Sequence, residues 1–420
     1  MSFETISVIG LGYIGLPTAA MFASRKKKVI GVDVNQHAID TINRGEIHIV
    51  EPDLDMIVHA AVSEGYLRAT NIAEPADAFL IAVPTPFKDS DSAIPEPDLK
   101  YIEAAAKSIA PVLKKGDLVI LESTSPVGAT EQLAAWLAEI RGDLSFPQTS
   151  GDQADINVAH CPERVLPGHV VRELVENDRV IGGMTSKCSE RAIELYKTFV
   201  KGDCVVTNAR TAEMAKLTEN SCRDVQIAFA NELSIVCDKL DINVWELISL
   251  ANRHPRINIL QPGPGVGGHC IAVDPWFIVS KTPKEAQLIH MARKINDAKP
   301  HWVIHKVKIA ISDFLQANPD KTSKDVVVAC YGLTFKADID DLRESPAMSI
   351  TRMIAEMHQG RVIAVEPNIE DIKDEKIELT QIDEAISEAD ISVLLVEHSE
   401  FIGLKVDPES IIIDTKGIWL

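Results

Sequence analysis

The N-terminal stretch restricts the fold of this chain more than any other part of it. It runs from a short apolar segment through Gly10-x-Gly12-x-x-Gly15 and a helical pattern to a second apolar segment, Val29–Val32, which ends in Asp33. This order is typical of a dinucleotide-binding βαβ unit, whose glycines allow the tight turn, the close approach of a pyrophosphate and the helix–strand contact. The helix N-terminus then faces the negative charge. An acid at Asp33 accepts from ribose hydroxyls and repels a 2′-phosphate, so the pattern favours NAD over NADP, with a phosphate-free βα turn as the alternative.

The alternation of strand and helix patterns continues beyond this unit. Strands are predicted at Ala78–Val83 and Leu118–Leu121, and helices at Leu99–Leu113 and Thr130–Ile140. Ligands bind where the strands of a doubly wound sheet end, so the loops after these two strands are expected to meet the cofactor, although Ser and Thr are also common in plain turns. The predicted cofactor-binding residues of this half are Gly10, Gly12, Tyr13, Ile14, Gly15, Asp33, Thr85 and Thr124.

A further predicted strand is followed by an acidic and a basic residue that would lie beside the same cleft. The polar stretch Ser145–Asp155 is predicted to be a surface loop, and Ile156–Ala159 to be the strand that precedes Pro162-Glu163-Arg164. A surface ion pair explains these two charges as well as a functional site does. A strand at Arg179–Ile181 and a helix at Ser189–Val200 are predicted to complete the unit.

One long helix is predicted over Thr211–Leu240, where no Pro or Gly interrupts the pattern. Its polar residues Glu213, Lys216, Asn220 and Arg223 are spaced i, i+3, i+7 and i+10, which places them on one face. A polar stripe on a largely apolar helix must face something polar, such as a substrate or water. An ordinary ion pair on the wet side of the helix is the alternative.

The segment Gly263–Pro275, GPGVGGHCIAVDP, carries a cysteine in a glycine-rich loop. Dense glycines let a backbone approach a ligand closely and leave amide groups free to face an anion. A thiol at Cys270 can act as a nucleophile, and Asp274 can orient a water for a later hydrolysis. The alternative is a buried structural cysteine in a tight turn. The preceding basic patch, Asn252–Arg256, suggests recognition of an anion by arginine, with cationic helix caps as the competing explanation.

The C-terminal third is predicted to form a second α/β unit. Beyond Pro300 an amphipathic helix is expected to lead into a polar linker, Asn318–Lys324. Strands follow at Asp325–Tyr331, Arg361–Val365, Ile391–Val396 and Ile411–Ile413, with a helix at Ser345–Met357. The unit lacks GxGxxG, so a different mode of ligand binding is expected, in which Lys336 and Arg343 can hold a diphosphate.

Charge and cysteine content exclude several classes of partner and site. The formal net charge is −20, so the field of the protein repels polyanions and no nucleic-acid partner is expected. Seven scattered cysteines show no metal-ligand spacing, which predicts no metal site and a reducing compartment. No long apolar run and no basic, apolar leader are seen, so we expect a cytoplasmic protein without membrane attachment.

Several motifs together resemble the UDP-glucose/GDP-mannose dehydrogenase family over nearly the whole chain. They are GLGYIGLP, EST, PER, EMAKLTEN, GPGVGGHCIAVDP and GLTFKADIDDLRESP. The resemblance implies an α/β protein with two Rossmann-like doubly wound domains joined by a long central helix. It implies an NAD-binding domain at 1–205, a helical dimerisation domain with the cysteine loop at 206–315, and a UDP-binding domain at 316–420.

The resemblance also implies a four-electron oxidation of a UDP-sugar alcohol to a uronic acid by two NAD molecules in succession. Cys270 would form a thiohemiacetal and then a thioester, Lys216 and Asn220 would stabilise the oxyanion, Asp274 and Thr124 would position water, and Glu163 would assist proton transfer. Arg343 is assigned to the cofactor, and a homodimer is expected in which Arg256 can reach the neighbouring subunit's substrate. The implied substrate-binding residues are Arg164, Val165, Lys216, Asn220, Arg223, His254, Arg256, Gly267, Phe335 and Lys336.

The segment HCPERVLPG resembles the branch of the family that acts on UDP-N-acetylhexosamines for surface-polysaccharide synthesis. Arg164 stands where the UDP-glucose enzymes carry Phe, and an arginine there can donate to the N-acetyl oxygen. The resemblance favours UDP-N-acetyl-D-mannosamine as the substrate, with its C2 epimer UDP-N-acetyl-D-glucosamine as the alternative, because the configuration at C2 leaves no readable signature in the sequence. Two other classes remain open: a two-electron 3-hydroxyacid-type dehydrogenase, which would not need Cys270, and a non-catalytic nucleotide-sugar or NAD-binding regulator.

Overall fold

The chain divides into two compact units. A computed structural model describes residues 3–90, 92–165, 168–268, 270–372 and 374–419. The units are Met1–Glu219 and Asn220–Leu420. The long helix α9 (Ala209–Lys239) begins in the first unit and ends in the second. Among the described residues, no helix is both long and apolar enough to span a membrane.

The first unit is built on a sheet whose described strands lie in the order β3-β2-β1-β4-β5-β6-β7-β8. The pairs are parallel except that β6 and β7 run antiparallel. The order of the first six strands, 3-2-1-4-5-6, is that of a Rossmann fold. These strands are Thr5–Ile9 (β1), Lys28–Val32 (β2), Leu67–Thr70 (β3), Ala78–Ile81 (β4), Leu118–Leu121 (β5), Asn157–His160 (β6), Arg179–Gly183 (β7) and Cys204–Asn208 (β8).

Helices cover both faces of this sheet, which explains why its strands are apolar on both sides. Ile6 and Val8 point into one hydrophobic cluster, whereas Phe79 and Ile81 point into the other. The helices are Gly15–Ser24 (α1), Gln36–Asn43 (α2), Leu54–Ser63 (α3), Lys100–Ile109 (α4), Ala129–Ile140 (α5), Pro147–Ser150 (α6), Val170–Glu176 (α7) and Ser186–Tyr196 (α8), with 3₁₀ turns at Ala110–Val112 and Gly151–Gln153.

The second unit contains a smaller parallel sheet with the strand order β11-β10-β9-β12-β13. This is again an order of 3-2-1-4-5, so the crossover between β9 and β12 matches the one between β1 and β4. Its elements are Val244–Ala251 (α10), Asp274–Lys281 (α11), Gln287–Ala317 (α12), Val328–Tyr331 (β9), Pro346–Met357 (α13), Val362–Val365 (β10), Glu378–Leu379 (β11), Ile382–Glu388 (α14), Ile391–Leu394 (β12), a 3₁₀ turn at Ser399–Phe401 and Ile411–Asp414 (β13).

The register of each sheet brings the predicted ligand loops to the carboxyl edge. Ile9 of β1 lies opposite Val32 of β2 and Ile81 of β4, so the glycine turn, Asp33 and the loop after β4 leave the sheet side by side. The prediction of two doubly wound α/β sheets and one long helix is confirmed.

Two local predictions were wrong, and three strands were not predicted. The predicted surface loop Ser145–Asp155 contains α6 and a 3₁₀ turn, because Pro147 is well suited to the first turn of a helix. Pro300 does not precede a helix but lies inside α12. The buried residues Lys299 and Val303 beside it show that packing holds the helix together across the missing N–H group. The strands β3, β8 and β11 were not predicted.

Candidate active site

The glycine turn after β1 has the geometry that a dinucleotide pyrophosphate requires. Gly10 has a φ of 90°, and a Cβ there would lie 2.5 Å from the Ala82 carbonyl oxygen. A Cβ on Gly15 would lie 1.7 Å from the Gly10 oxygen, so only glycine lets α1 approach the strand this closely. A Cβ on Gly12 would meet nothing within 4 Å. The space in front of α1 is therefore open, and the residues present fit a bound NAD pyrophosphate.

The Asp33 carboxylate holds this turn in place. One oxygen accepts from the Leu11 backbone N–H and the other from the Asn35 backbone N–H, both at 2.8 Å. Each oxygen retains a second lone pair, so the half-buried carboxylate can still accept from a ribose. The neighbouring Tyr13 is exposed and Ile14 is half-buried just before α1.

The loops after β4 and β5 are tied together at the same edge. The Ser123 hydroxyl donates to the Val83 carbonyl at 2.7 Å. The Thr85 hydroxyl is buried and has no hydrogen-bond partner among the described residues. A buried polar group of this kind calls for an explanation, and a bound ligand would supply the missing partner. Thr124 is half-buried beside Ser123, so the predicted residues Thr85 and Thr124 share this edge.

Glu163 lies in the segment that follows β6 and forms a buried ion pair. Its Oε2 accepts from an Arg179 guanidinium nitrogen at 2.7 Å, and its Oε1 accepts from the Arg164 backbone N–H at 2.7 Å. The Arg164 side chain is paired with both carboxylate oxygens of Glu219, at 2.8 and 3.1 Å. Val165 is half-buried next to it. Arg164, for which recognition of an N-acetyl group is predicted, is thus oriented by Glu219 of α9.

Arg179 is a residue that sequence reasoning assigned only to a strand. It stands at the start of β7 and no motif surrounds it. Its guanidinium also lies 3.5 Å from Glu122 Oε1 and 4.3 Å from the centre of the Tyr196 ring. The only sequence signal was that a charged residue opens an otherwise apolar strand. Arg179 is therefore added to the residues around Glu163.

The polar stripe of α9 does not act as one unit. Glu213 is buried and accepts from the Gly128 N–H at 2.6 Å and from the Thr130 N–H at 2.7 Å. Its carboxylate therefore satisfies the first turn of α5 and is not left for a ligand. Burial raises its pKa. Lys216 is half-buried and Arg223 is exposed.

In the second unit, Asn220 and Asp274 are in direct contact. The Asn220 side-chain amide donates to Asp274 Oδ2 at 2.5 Å, and Asp274 is the buried first residue of α11. The Cys270 carbonyl accepts from the Val273 N–H at 3.1 Å and the Asp274 N–H at 2.9 Å. This turn places the exposed Cys270 directly before α11. His269, which precedes the cysteine in the motif, lies outside the described residues.

The glycine loop that precedes Cys270 lies against the loop after β9. A Cβ on Gly267 would be 2.4 Å from the Glu344 carbonyl oxygen, and one on Gly268, whose φ is 80°, would be 3.0 Å from the Phe335 ring. Side chains are excluded here by the neighbouring loop. The predicted residues Gly267 and Phe335 are therefore brought together. At its start the loop is held by Asn231, whose side-chain oxygen accepts from the Gly263 N–H at 2.9 Å.

The predicted basic residues of this unit are exposed. Lys336 is exposed, and the exposed Arg343 donates from two guanidinium nitrogens to both Asp341 oxygens, at 2.6 to 2.9 Å. His254 and Arg256 are exposed, and the Arg256 N–H donates to His254 Nδ1 at 3.3 Å.

Lys416, outside the predicted set, follows β13. Its ammonium would be 3.5 Å from a Cβ on Gly263, and burial lowers its pKa to about 8. It is paired with Glu397.

Comparisons with known proteins agree over the full chain. Residues 4–200, 210–298 and 329–420 match the NAD-binding, central and UDP-binding domains of the UDP-glucose/GDP-mannose dehydrogenase family. The chain is 67% identical to a UDP-N-acetyl-D-mannosamine dehydrogenase of Yersinia pestis, with all of both chains covered. It is 64% identical to an NDP-N-acetyl-D-galactosaminuronic acid dehydrogenase of Ralstonia nicotianae, which covers 100% of this chain and 97% of that one. A solved UDP-D-ManNAc dehydrogenase from Pyrococcus horikoshii shares 38% identity, with a TM-score of 0.88 and coverage of 99% and 96%.

Proposed function

Because the chain belongs to the UDP-glucose/GDP-mannose dehydrogenase family, an NAD-binding family of oxidoreductases, we propose that it oxidises C6 of UDP-N-acetyl-D-mannosamine from alcohol to carboxylate. The choice of this substrate is supported by the 67% identity, over the full length of both chains, to the UDP-N-acetyl-D-mannosamine dehydrogenase of Yersinia pestis. A two-electron 3-hydroxyacid dehydrogenase would leave the UDP-binding domain unexplained. A non-catalytic regulator would have no use for a nucleophile.

The cysteine loop supplies the covalent step of this reaction. NAD, when bound, accepts a hydride in each of two successive oxidations. The Cys270 thiolate attacks the aldehyde carbon formed by the first oxidation, and the resulting thiohemiacetal keeps the aldehyde on the protein. Loss of the second hydride from that carbon leaves a thioester. Water then adds to the thioester, the carbon–sulfur bond breaks, and the carboxylate leaves while the thiolate is restored.

The predicted polar residues have separate proposed tasks in this reaction. Lys216 and Asn220 stabilise the oxyanion, since a cation and an amide donor are suited to developing negative charge. Asp274 and Thr124 position the hydrolytic water, and Glu163 assists proton transfer. The Asn220–Asp274 hydrogen bond supports the pairing of these two roles, because it fixes the orientation of both side chains.

The substrate is proposed to be held through its diphosphate and its acetamido group. Phe335, Lys336 and Gly267 belong to two loops in mutual contact and form the proposed UDP subsite. Arg164 is proposed to donate to the acetamido oxygen. The remaining proposed contacts are Val165, Arg223, His254 and Arg256 with the substrate and Arg343 with the cofactor.

A second candidate substrate is the UDP-linked N-acetyl-D-galactosamine. It is favoured by the 64% identity to the Ralstonia nicotianae protein, whose name refers to N-acetyl-D-galactosaminuronic acid. The two sugars differ in the configuration of ring hydroxyl and acetamido groups but present the same chemistry at C6. Measuring kcat/KM for UDP-N-acetyl-D-mannosamine, -glucosamine and -galactosamine, with mass detection of the uronate, tests the proposal. A clear preference for either other sugar would contradict the assigned substrate, and no uronate from any of the three would contradict the reaction.

We further propose a homodimer in which Arg256 reaches the partner's substrate. An apolar stripe runs along α9 and its C-terminal end and consists of Phe229, Val236 and Leu240, which are 45 to 62% exposed. Their spacing of i, i+7 and i+11 places the three side chains on one helix face. An exposed apolar stripe of this kind favours burial against another chain. Sedimentation of wild type and Phe229→Glu tests the dimer, which the introduced charge should dissociate.

The same proposal includes domain limits of 1–205, 206–315 and 316–420, a cytoplasmic location and a role in surface-polysaccharide synthesis.

A further inference from the structure

We propose that Arg179 is a positioning residue of this reaction: its buried guanidinium fixes the orientation in which Glu163 assists proton transfer. The inference rests on the proposed function, in which Glu163 has that task. It concerns four side chains of the first unit, Arg179, Glu163, Glu122 and Tyr196. They come from the ends of neighbouring strands and from α8, at the carboxyl edge where the cofactor loops also lie.

The geometry leaves Glu163 almost no freedom. One carboxylate oxygen is held by Arg179 at 2.7 Å and the other by the backbone N–H of Arg164 at 2.7 Å. Both charged side chains are at least nine-tenths buried, with relative exposures of 5% and 7%. Because a charge-assisted hydrogen bond is short and directional, the plane of the Glu163 carboxylate is set by Arg179.

Arg179 is itself held from two further sides. Its guanidinium carbon lies over the Tyr196 ring, 4.3 Å from the ring centre. A second nitrogen lies 3.5 Å from Glu122 Oε1, which also accepts from the Tyr196 hydroxyl at 2.6 Å. A planar guanidinium suits this arrangement because it can stack and form ion pairs in different directions at once, whereas an ammonium cannot.

The charges around Arg179 favour its pairing with Glu163 over its pairing with Glu122. Burial raises the pKa of Glu122 to about 7, so this group keeps its proton below neutrality. Burial also raises the pKa of the neighbouring Cys161 thiol and of the Tyr196 hydroxyl, so both stay neutral. One cation and one anion, Arg179 and Glu163, then remain.

A contribution to folding stability is a weak explanation for the buried Arg179–Glu163 ion pair. Replacing a buried ion pair by apolar residues of similar volume is often neutral or stabilising. A guanidinium that clamps a carboxylate at the cofactor edge is explained better by the need to orient that carboxylate.

A double-mutant cycle separates this role from a structural one. Glu163→Gln and Arg179→Met should each lower kcat by about 10²-fold, the lower part of the range for general acid–base catalysis, with little change in KM. If Arg179 acts through Glu163, the double variant should be no more than about twofold slower than Glu163→Gln alone. Arg179→Lys should recover part of the lost kcat. Arg141→Met removes an arginine that pairs with Asp143 elsewhere in the unit and serves as the matched control.

The outcomes distinguish the inference from the proposed function. If wild type oxidises the UDP-sugar and the two penalties multiply in the double variant, Arg179 does not act through Glu163 and the inference fails alone. If wild type oxidises none of the UDP-sugars, the proposed function fails and the inference fails with it. Should Arg179→Met not fold, the same cycle with Arg179→Lys decides, since an additive loss there equally overturns the inference.

Discussion

The side-chain amide of Asn220 donates a hydrogen bond to the Asp274 carboxylate, 2.5 Å away. The two residues are 54 positions apart, one on α9 and the other at the start of α11. The contact leaves Asn220 one further N–H group, which its proposed role in oxyanion stabilisation needs. It also restricts the rotation of both side chains.

Asp274→Asn should slow hydrolysis of the thioester more than either oxidation. The amide keeps the size of the side chain but is a poor base for the attacking water. We expect a rapid burst of two NADH per subunit, followed by turnover reduced by about 10²-fold. Stopped-flow absorbance at 340 nm measures the burst, with Asp313→Asn, an exposed aspartate on α12, as the control. Uniform slowing without a burst would remove Asp274 from the hydrolytic step.

Arg164→Phe should weaken selection for the acetamido group. The ratio of kcat/KM for UDP-N-acetyl-D-mannosamine over UDP-D-mannose isolates that group, because the two sugars differ only there. We expect the ratio to fall roughly 10-fold, since a lost hydrogen-bond donor leaves the acetamido oxygen unpaired. Arg172→Phe changes an exposed arginine on α7 and should leave the ratio as it is. An unchanged ratio in Arg164→Phe would assign specificity to other residues.

Glu213→Ala should destabilise the first unit. The substitution leaves the N–H groups at the start of α5 without their carboxylate acceptor, which costs roughly 2 kcal/mol. A lowered unfolding midpoint in urea measures this loss, and Glu232→Ala on the exposed face of α9 provides the comparison. Equal midpoints for the two variants would mean that the contact does not contribute to stability.

Glu122 should make stability depend on pH between its unfolded and folded pKa values. Burial raises its pKa from 4.5 to about 7, so the folded protein holds a proton that the unfolded chain releases. Stability from this group is therefore complete below pH 4.5 and falls as the pH rises towards 7, by roughly 3 kcal/mol in total.

Glu122→Gln tests this dependence because the amide still accepts from Tyr196 and cannot ionise. Wild type should lose stability relative to Glu122→Gln as the pH is raised from 5 to 8, as followed by urea unfolding. Glu139→Gln, an exposed change on α5, should track wild type. A constant difference between Glu122→Gln and wild type across this range would contradict the assigned ionisation.

Local patterns made the glycine turn and six of the eight described strands of the first sheet predictable. The spacing of Gly10, Gly12 and Gly15 reports backbone constraints that act within a few residues, and the structure shows the close approaches that exclude a side chain at Gly10 and Gly15. The long helix was predictable for the same reason, since no Pro or Gly interrupts it.

Contacts between distant residues could not be predicted in this way. Glu213 shares a helix face with Lys216, but its partner is the start of α5, 83 to 85 positions away. Arg179 reaches Glu163 only because β7 lies beside β6 in the sheet. The helix through Pro300 depends on buried neighbours that a single-residue rule ignores. In each case tertiary packing decides what the local pattern leaves open.

The most direct test of the covalent mechanism is the number of NADH molecules released per UDP-N-acetyl-D-mannosamine consumed, measured for wild type and Cys270→Ser. We expect two NADH per sugar for wild type, and loss of this complete reaction in the variant. One NADH per sugar in wild type, or a Cys270→Ser enzyme that still releases two at the wild-type rate, would contradict the covalent four-electron mechanism.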